Sequence, residues 1–112
     1  MITDTLRNTL ATYIKNNVDG GKIGLGGNST SPAATDLDVE ITGITPTVTT
    51  DISTANVVEV KISVPGSSIS GKVVREAGFF DGTDMWARES FDGVGPFSST
   101  ETLEIIFVLE VE

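Results

Sequence analysis

The chain has 112 residues, a net charge of −9, and neither cysteine nor histidine. One domain of this length can bury a core of its own. The missing residue types exclude disulfides, thiol nucleophiles, histidine-based triads and the usual zinc and iron–sulfur sites. The excess of 16 acidic over 7 basic residues argues against non-specific nucleic-acid binding and against contact with anionic membranes. We therefore expect no enzyme, no cofactor, no metal, no nucleic acid and no membrane partner.

The composition favours a β fold. Ser and Thr contribute 25 residues and Val and Ile another 22, a mixture typical of half-buried strands. We predict a mostly β (α+β) fold, an antiparallel β sandwich or sheet with one N-terminal helix. It forms a single domain over residues 1–112, with the helix at 3–17 and the β domain at 20–112. The start of the chain has no basic segment followed by an apolar run, so we expect no signal peptide.

The N-terminal helix is indicated by apolar residues at helical spacing. Thr3 is placed to cap it, and the polar and glycine residues of 16–21 end it. The apolar stripe is narrow, so we expect the helix to pack on a sheet or on a neighbouring subunit. The stripe consists of Leu6, Leu10, Tyr13 and Ile14.

The glycine-rich stretch 20–27 has some likeness to a phosphate-binding loop. A P-loop needs Ser or Thr after its lysine, whereas Lys22 is followed by Ile23. The dinucleotide-binding pattern also fails, because Ser29 stands where its third glycine belongs. We therefore interpret this stretch as a turn that follows a short strand.

Alternating apolar and polar residues predict strands in the second half of the chain. The clearest strands are 58–64 and 103–111, and a hairpin over 72–91 lies between them with its turn at 81–84. We predict that this hairpin and strand 103–111 belong to one antiparallel sheet. Weaker patterns place a helical turn at 33–38, β structure at 39–44, and a loop or edge strand at 46–56.

Paired carboxylates in the hairpin raise the question of catalysis. Glu76 follows Arg75, and Glu89 follows Arg88, on adjacent predicted strands. A glycosidase uses two opposed carboxylates, but neighbouring Arg and Glu on adjacent strands favour cross-strand ion pairs. We therefore predict ion pairs here and no catalytic residue.

Other features of the hairpin leave alternatives open. Turn chemistry explains Asp81 and Asp84, with a bound cation as the alternative. Core packing is the first interpretation of the aromatic residues, and an exposed interface anchor is the second. These aromatic residues are Phe79, Phe80, Trp86 and Phe91. The triplet 28–30 is a formal N-glycosylation sequon, to which we assign no function.

The hairpin contains the pattern R-E-x-G-hydrophobic-F-D-x-G, matched at Arg75, Glu76, Gly78, Phe80 and Asp81. A G-x-G strand end and a following turn are matched loosely at Gly24, Gly26, Pro32, Asp36 and Leu37. With a helix before these pieces and a long apolar strand after them, the chain resembles the N-terminal domain of tailed-bacteriophage tail-collar fibre proteins. It is also similar to small related tail and baseplate proteins.

The resemblance implies a virion structural protein of a tailed virus, in the tail, baseplate or fibre attachment, made in the host cytoplasm. It also implies partners among the other tail, baseplate or fibre proteins. The sequence ends at Glu112, where the family's fibres continue, so we expect an assembly adaptor or fibre anchor. The alternatives are a soluble carbohydrate- or ligand-binding β module and a capsid decoration protein.

The last predicted strand is apolar on both faces at its centre, where Ile106 and Val108 interrupt the polar row. A monomer would expose this apolar surface, which soluble monomers avoid. We therefore predict a homo-oligomer joined through the sheet and the N-terminal helix, and the fibre resemblance implies a trimer first and a hexamer second. The predicted interface residues are Leu6, Leu10, Tyr13, Ile14, Trp86, Ile106 and Val108.

Overall fold

The computed structural model describes residues 1–27 and 30–112. Within these residues, one α-helix and six strands form a mostly β fold with two antiparallel sheets, which confirms the predicted fold class. A short 3-10 helix, Gly66–Ser68, follows the third strand. The main elements are α1 (Asp4–Asn17), β1 (Gly20–Gly24), β2 (Thr47–Thr54), β3 (Val57–Pro65), β4 (Val74–Asp81), β5 (Asp84–Val94) and β6 (Thr102–Glu110).

Helix α1 begins and ends where the sequence predicted. The hydroxyl of Thr3 accepts the backbone N–H of Leu6 at 3.4 Å, so Thr3 caps the helix. The buried face is centred on Ala11, which is 0% exposed, and it continues through the half-buried Ile14 to Val18. Apart from Ile14, the residues of the predicted stripe remain exposed to solvent, because the helix packs on the sheets through Ala11 instead.

The two sheets have the strand orders β1-β4-β5 and β2-β3-β6. The first is called sheet 1 and the second sheet 2. The prediction that hairpin 72–91 and strand 103–111 share a sheet is therefore wrong, because β6 pairs with β3 over nine positions. These two strands have the strongest matching alternation, so pairing them aligns two apolar rows on one face of sheet 2.

The core lies between the sheets and divides into two clusters along the strands. Every second residue of β3 faces inward and is buried, which confirms the predicted alternation. Near the helix, Phe79 of sheet 1 meets Phe107 of sheet 2 edge to face, with ring centroids 5.1 Å apart. The cluster beneath the helix contains Ala11, Val18, Val58, Val60 and Phe79. The cluster at the far end contains Ile23, Ile41, Ile62, Val64, Ile69, Val74, Ala77 and Leu103.

The connection between β1 and β2 lies over the outer face of sheet 1. Its predicted helical turn at 33–38 is wrong, because the chain makes only a short turn in which Ser31 accepts the N–H groups of Ala33 and Ala34. The predicted β structure at 39–44 is reduced to a single bridge between Glu40 and Gly24. The segment 46–56 forms an edge strand, which was one of its two predicted states.

Candidate functional site

Glu76 is a fully buried carboxylate on β4, facing the connection that covers sheet 1. Its Oε2 accepts the backbone N–H groups of Gly26 and Val39, each at 2.8 Å. Its Oε1 accepts the N–H of Asp38, also at 2.8 Å. A buried carboxylate is costly unless such donors surround it. The three amides therefore make Glu76 the point that fastens the connection to the sheet.

Two glycines make room for this carboxylate. A Cβ atom on Gly24 would lie 2.6 Å from Oε2 of Glu76 and 2.5 Å from the carbonyl oxygen of Val39. A Cβ on Gly26 would lie 2.7 Å from the same Oε2. The G-x-G pattern thus serves close approach of backbone to a carboxylate, and no phosphate is needed to explain it.

The predicted cross-strand pairs between Arg and Glu do not form among the described residues. In the register of β4 and β5, Glu76 lies opposite Ser90, and Glu89 lies opposite Ala77. Arg88 instead binds Asp38 at 3.0 Å, and its side chain is only 8% exposed. The prediction was wrong because it considered only the two strands of the hairpin. The backbone N–H groups of the connection donate hydrogen bonds to both carboxylate oxygens of Glu76 instead.

Lys22, in the middle of β1, forms a second attachment between sheet 1 and the same connection. Its Nζ lies 3.0 Å from Oε1 of Glu40 and 3.4 Å from Oδ1 of Asp36, and 4.5 Å from the centre of the Phe80 ring. The hydrogen bond that Lys22 donates to Glu40 raises the pKa of Lys22 above its ordinary value, against a smaller opposing effect of burial. The lysine that suggested a phosphate loop is therefore committed to carboxylates of its own chain.

The remaining positions of the hairpin pattern have local roles. Asp81 lies opposite Asp84 at the end of the hairpin, and Gly82 takes the positive φ of 58° that the predicted turn requires. The N–H of Gly82 binds Oδ1 of Asp19 at 2.9 Å, which ties the turn to the end of the helix. Arg75 is exposed. In the described ranges, no group of three or more acidic side chains is placed to hold a metal ion at this turn or elsewhere.

An apolar corner, named the aromatic corner, lies where helix α1 meets the ends of β5 and β6. The rings of Tyr13 and Trp86 stack with their centroids 6.1 Å apart and an interplanar angle of 22°. Beside them is a cavity of about 320 Å³, lined by Tyr13, Ile14, Phe79, Trp86 and Leu109. Trp86 is 36% exposed, so its ring is a surface feature of this corner. The other hairpin aromatics, Phe79 and Phe80, are buried, and Phe91 is half-buried against the core.

The predicted interface residues separate into two surfaces. Leu6 and Leu10 are both 44% exposed on the helix stripe that ends at Tyr13 and the aromatic corner. Ile106 and Val108 lie on the outer face of sheet 2, 56% and 65% exposed, away from that corner. The alternation of 103–111 correctly placed Leu109 on the inward row, but it gave no sign that this half-buried residue also lines the cavity of the aromatic corner.

A polar groove follows the free edge of β5, with a volume of about 450 Å³. Its lining includes Thr30, Ser31, Trp86, Arg88 and Ser90. The neighbouring residues 28 and 29 of the sequon lie outside the described residues. The groove places polar side chains beside the exposed aromatic side chain of Trp86.

No known protein family matches the sequence, and no curated protein is significantly similar to it. Among the described residues, the helix is too short and too polar to cross a membrane.

Proposed function

We propose that the protein is a virion structural protein of a tailed virus, an assembly adaptor or fibre anchor in the tail, baseplate or fibre attachment. The observation that carries this proposal is the contact between two pieces of the resemblance that lie far apart in the sequence. Glu76 of the hairpin pattern binds the N–H of Gly26 in the G-x-G pattern, and Leu37 of the loose turn packs over Gly78. Motifs that contact one another in the folded chain support a fold shared with the tail-collar fibre domains better than motifs scattered over the surface would.

The chemistry of the site supports a building block. Both oxygens of Glu76 are occupied by backbone amides inside the protein, and Arg88 is held by Asp38. Neither group is free to meet a substrate. Fastening the connection at Gly26, Asp38 and Val39 suits a subunit that presents the same surface to each neighbour in a symmetric assembly.

The exposed apolar surfaces support assembly with other chains. The aromatic corner and the Ile106–Val108 surface are separate, so one subunit can contact two neighbours at once. Aromatic side chains are enriched in protein interfaces. We therefore propose a homo-oligomer, a trimer or a hexamer, that also binds other tail, baseplate or fibre proteins.

Tailed-virus particles purified from the source of this sequence provide the test. We expect the protein in gradient-purified particles by mass spectrometry, and an antibody against it should label the tail, baseplate or fibre attachment in electron micrographs. Labelling spread over the capsid would favour a decoration protein. Absence of the protein from the particles would remove the proposal.

A second candidate function, a carbohydrate- or ligand-binding module, is favoured by the groove along β5. Trp86 beside the hydroxyls of Thr30 and Ser31 combines an aromatic face with polar groups, as sugar sites require. Titration with oligosaccharides, followed by the fluorescence of Trp86, tests this function. Saturable binding that Ser31→Ala weakens would favour the module, and an unchanged signal would favour the structural role.

A further inference from the structure

Strand β6 is an open edge of sheet 2, and its charged side chains are the glutamates Glu104 and Glu110. Proteins protect such edges with charged side chains, lysine above all, or with proline, bulges or short strands, because an open edge can pair with another chain. Edge strand β1 is short, and β2 and β5 contain register irregularities. The nine residues of β6 have an unbroken register with β3 and include neither lysine nor proline. No other strand of the described residues pairs with its far side.

Two hydrogen bonds at the ends of β6 show which of its backbone N–H and C=O groups point toward β3 and which point toward the open edge. The N–H of Val111 binds the carbonyl of Asn56 at 2.9 Å, and the carbonyl of Glu101 accepts the N–H of Gly66 at 2.7 Å. Backbone groups of successive residues in an antiparallel strand point alternately to the two sides. Odd-numbered residues therefore bind β3. The residues whose N–H and C=O groups face the open edge are Thr102, Glu104, Ile106, Val108 and Glu110.

We infer that the open edge of β6 pairs with β6 of a second copy of this chain, antiparallel and centred on Ile106. This inference rests on the proposed assembly role and names one of its partners. Ile106 is the midpoint of Thr102–Glu110. Only with Ile106 at the centre does each of the five residues whose backbone groups face the open edge lie opposite another residue of that set. Sheet 2 then continues through a twofold axis into the second subunit.

The side chains favour this register on both faces. On the outer face, Glu104 lies opposite Val108 and Thr102 opposite Glu110, so no glutamate directly faces another. A shift of the centre to Phe107 sets Glu104 against Glu110, which is unfavourable for two like charges. On the inner face, Ile105 of one copy lies opposite Phe107 of the other, and both residues are half-buried in the single chain. A second strand would cover these partly exposed core residues.

The twofold axis distinguishes between the two oligomers proposed above. A trimer with only threefold symmetry contains no isologous contact, whereas a hexamer with additional twofold axes does. The edge pairing therefore favours an even number of subunits.

A single introduced cysteine tests the register, because the chain has none of its own. With Ile106→Cys, the two thiols face each other across the axis on residues about 5.5 Å apart, within disulfide range. With Val108→Cys, the thiols are four residues out of register, about 13 Å apart. Thr49→Cys is the control on the opposite edge, since Thr49 and Ile106 both lie opposite Lys61 on the same face.

We expect oxidation, or a thiol cross-linker shorter than the Val108 separation, to link only the Ile106→Cys protein into a species of twice 11.8 kDa. The other two variants should remain at 11.8 kDa on a non-reducing gel. Equal linking of all three would indicate random collision, and linking of Val108→Cys alone would indicate another register. Either result overturns the inference, as does the absence of any linked species.

Sedimentation of the whole protein gives an independent test. We expect the native chain to form an even-numbered assembly at micromolar concentration, Ile106→Asp to fall to half the native mass because only the twofold contact is lost, and Thr49→Asp to behave as the native chain. Circular dichroism verifies that both variants are folded. A native monomer, or an odd-numbered assembly, overturns the edge pairing.

The two proposals fail separately. A chain found in the tail that is trimeric, or that links through position 106 to a different virion protein, keeps the structural role and removes the second copy as the partner of β6. An edge-paired dimer that is absent from virus particles keeps the pairing and removes the virion role.

Discussion

The carboxylate of Glu76 accepts the backbone N–H of Gly26 at 2.8 Å, although the two residues are 50 positions apart in the chain. Glu76 is a strand residue of sheet 1, and Gly26 begins the connection that lies across the outer face of that sheet. The same carboxylate also binds the N–H groups of Asp38 and Val39. One buried side chain therefore holds the connection to the sheet at both Gly26 and the pair Asp38 and Val39.

Replacing Glu76 with Gln should destabilise the protein by about 2 kcal/mol, because a neutral amide loses the charge-assisted hydrogen bonds and turns an N–H₂ group toward backbone donors. Urea unfolding followed by circular dichroism measures the change. Glu89→Gln is the matched control, since Glu89 is exposed on the adjacent strand. Equal stability of the two variants would show that the three amides are satisfied without the carboxylate.

Gly24→Ala should cost about 2 kcal/mol, the typical effect of overpacking, since its Cβ would press on Oε2 of Glu76 and on the carbonyl of Val39. Gly20→Ala is the control at the other end of β1, where the new Cβ would meet only Cβ of Phe80, at an ordinary 3.7 Å. Thermal unfolding of both variants compares them directly. The account of the G-x-G pattern is wrong if the two melt together.

Removal of the Tyr13 ring should open the aromatic corner. Tyr13→Ser is expected to cost about 1 kcal/mol, the scale of one aromatic pair, and to increase iodide quenching of Trp86 fluorescence. Trp86 is the only tryptophan of the chain, so the signal has a single source. Leu6→Ser, at the other end of the same exposed stripe, should leave quenching unchanged. A quenching constant that does not respond to Tyr13→Ser would contradict the stacked arrangement.

Glu101 should titrate below its ordinary pKa of 4.5, because its carboxylate accepts the backbone N–H of Ser98 at 2.7 Å and interacts with the Ser98 hydroxyl. A lowered pKa means that the interaction stabilises the turn at pH values above the ordinary pKa. This contribution is lost as the pH falls through the lower, folded value. The amide resonance of Ser98, followed by NMR from neutral to acidic pH, should report that midpoint. In Glu101→Gln the same resonance should show no such transition.

Local pattern was sufficient for most elements. The cap at Thr3, the alternation of 58–64 and the Asp81–Asp84 turn each depend on residues close in the sequence, and each is confirmed. Periodicity also placed Ile106 and Val108 on the face opposite the core. Their exposure agrees with that placement, whereas their role as an interface stays a prediction.

The sequence by itself determined the β class, the capped helix and which face of β3 and β6 turns inward, because period and capping act over a few residues. Tertiary structure decided which strands share a sheet. By pattern alone, either β4 or β6 could pair with β3. The choice of β6 depends on packing the joint apolar face of β3 and β6 against the other sheet. Tertiary structure also decided the partner of Glu76. Local pattern favoured an ion pair with the neighbouring strand, but the connection folded over the sheet brings three backbone N–H donors to the two oxygens of the buried carboxylate.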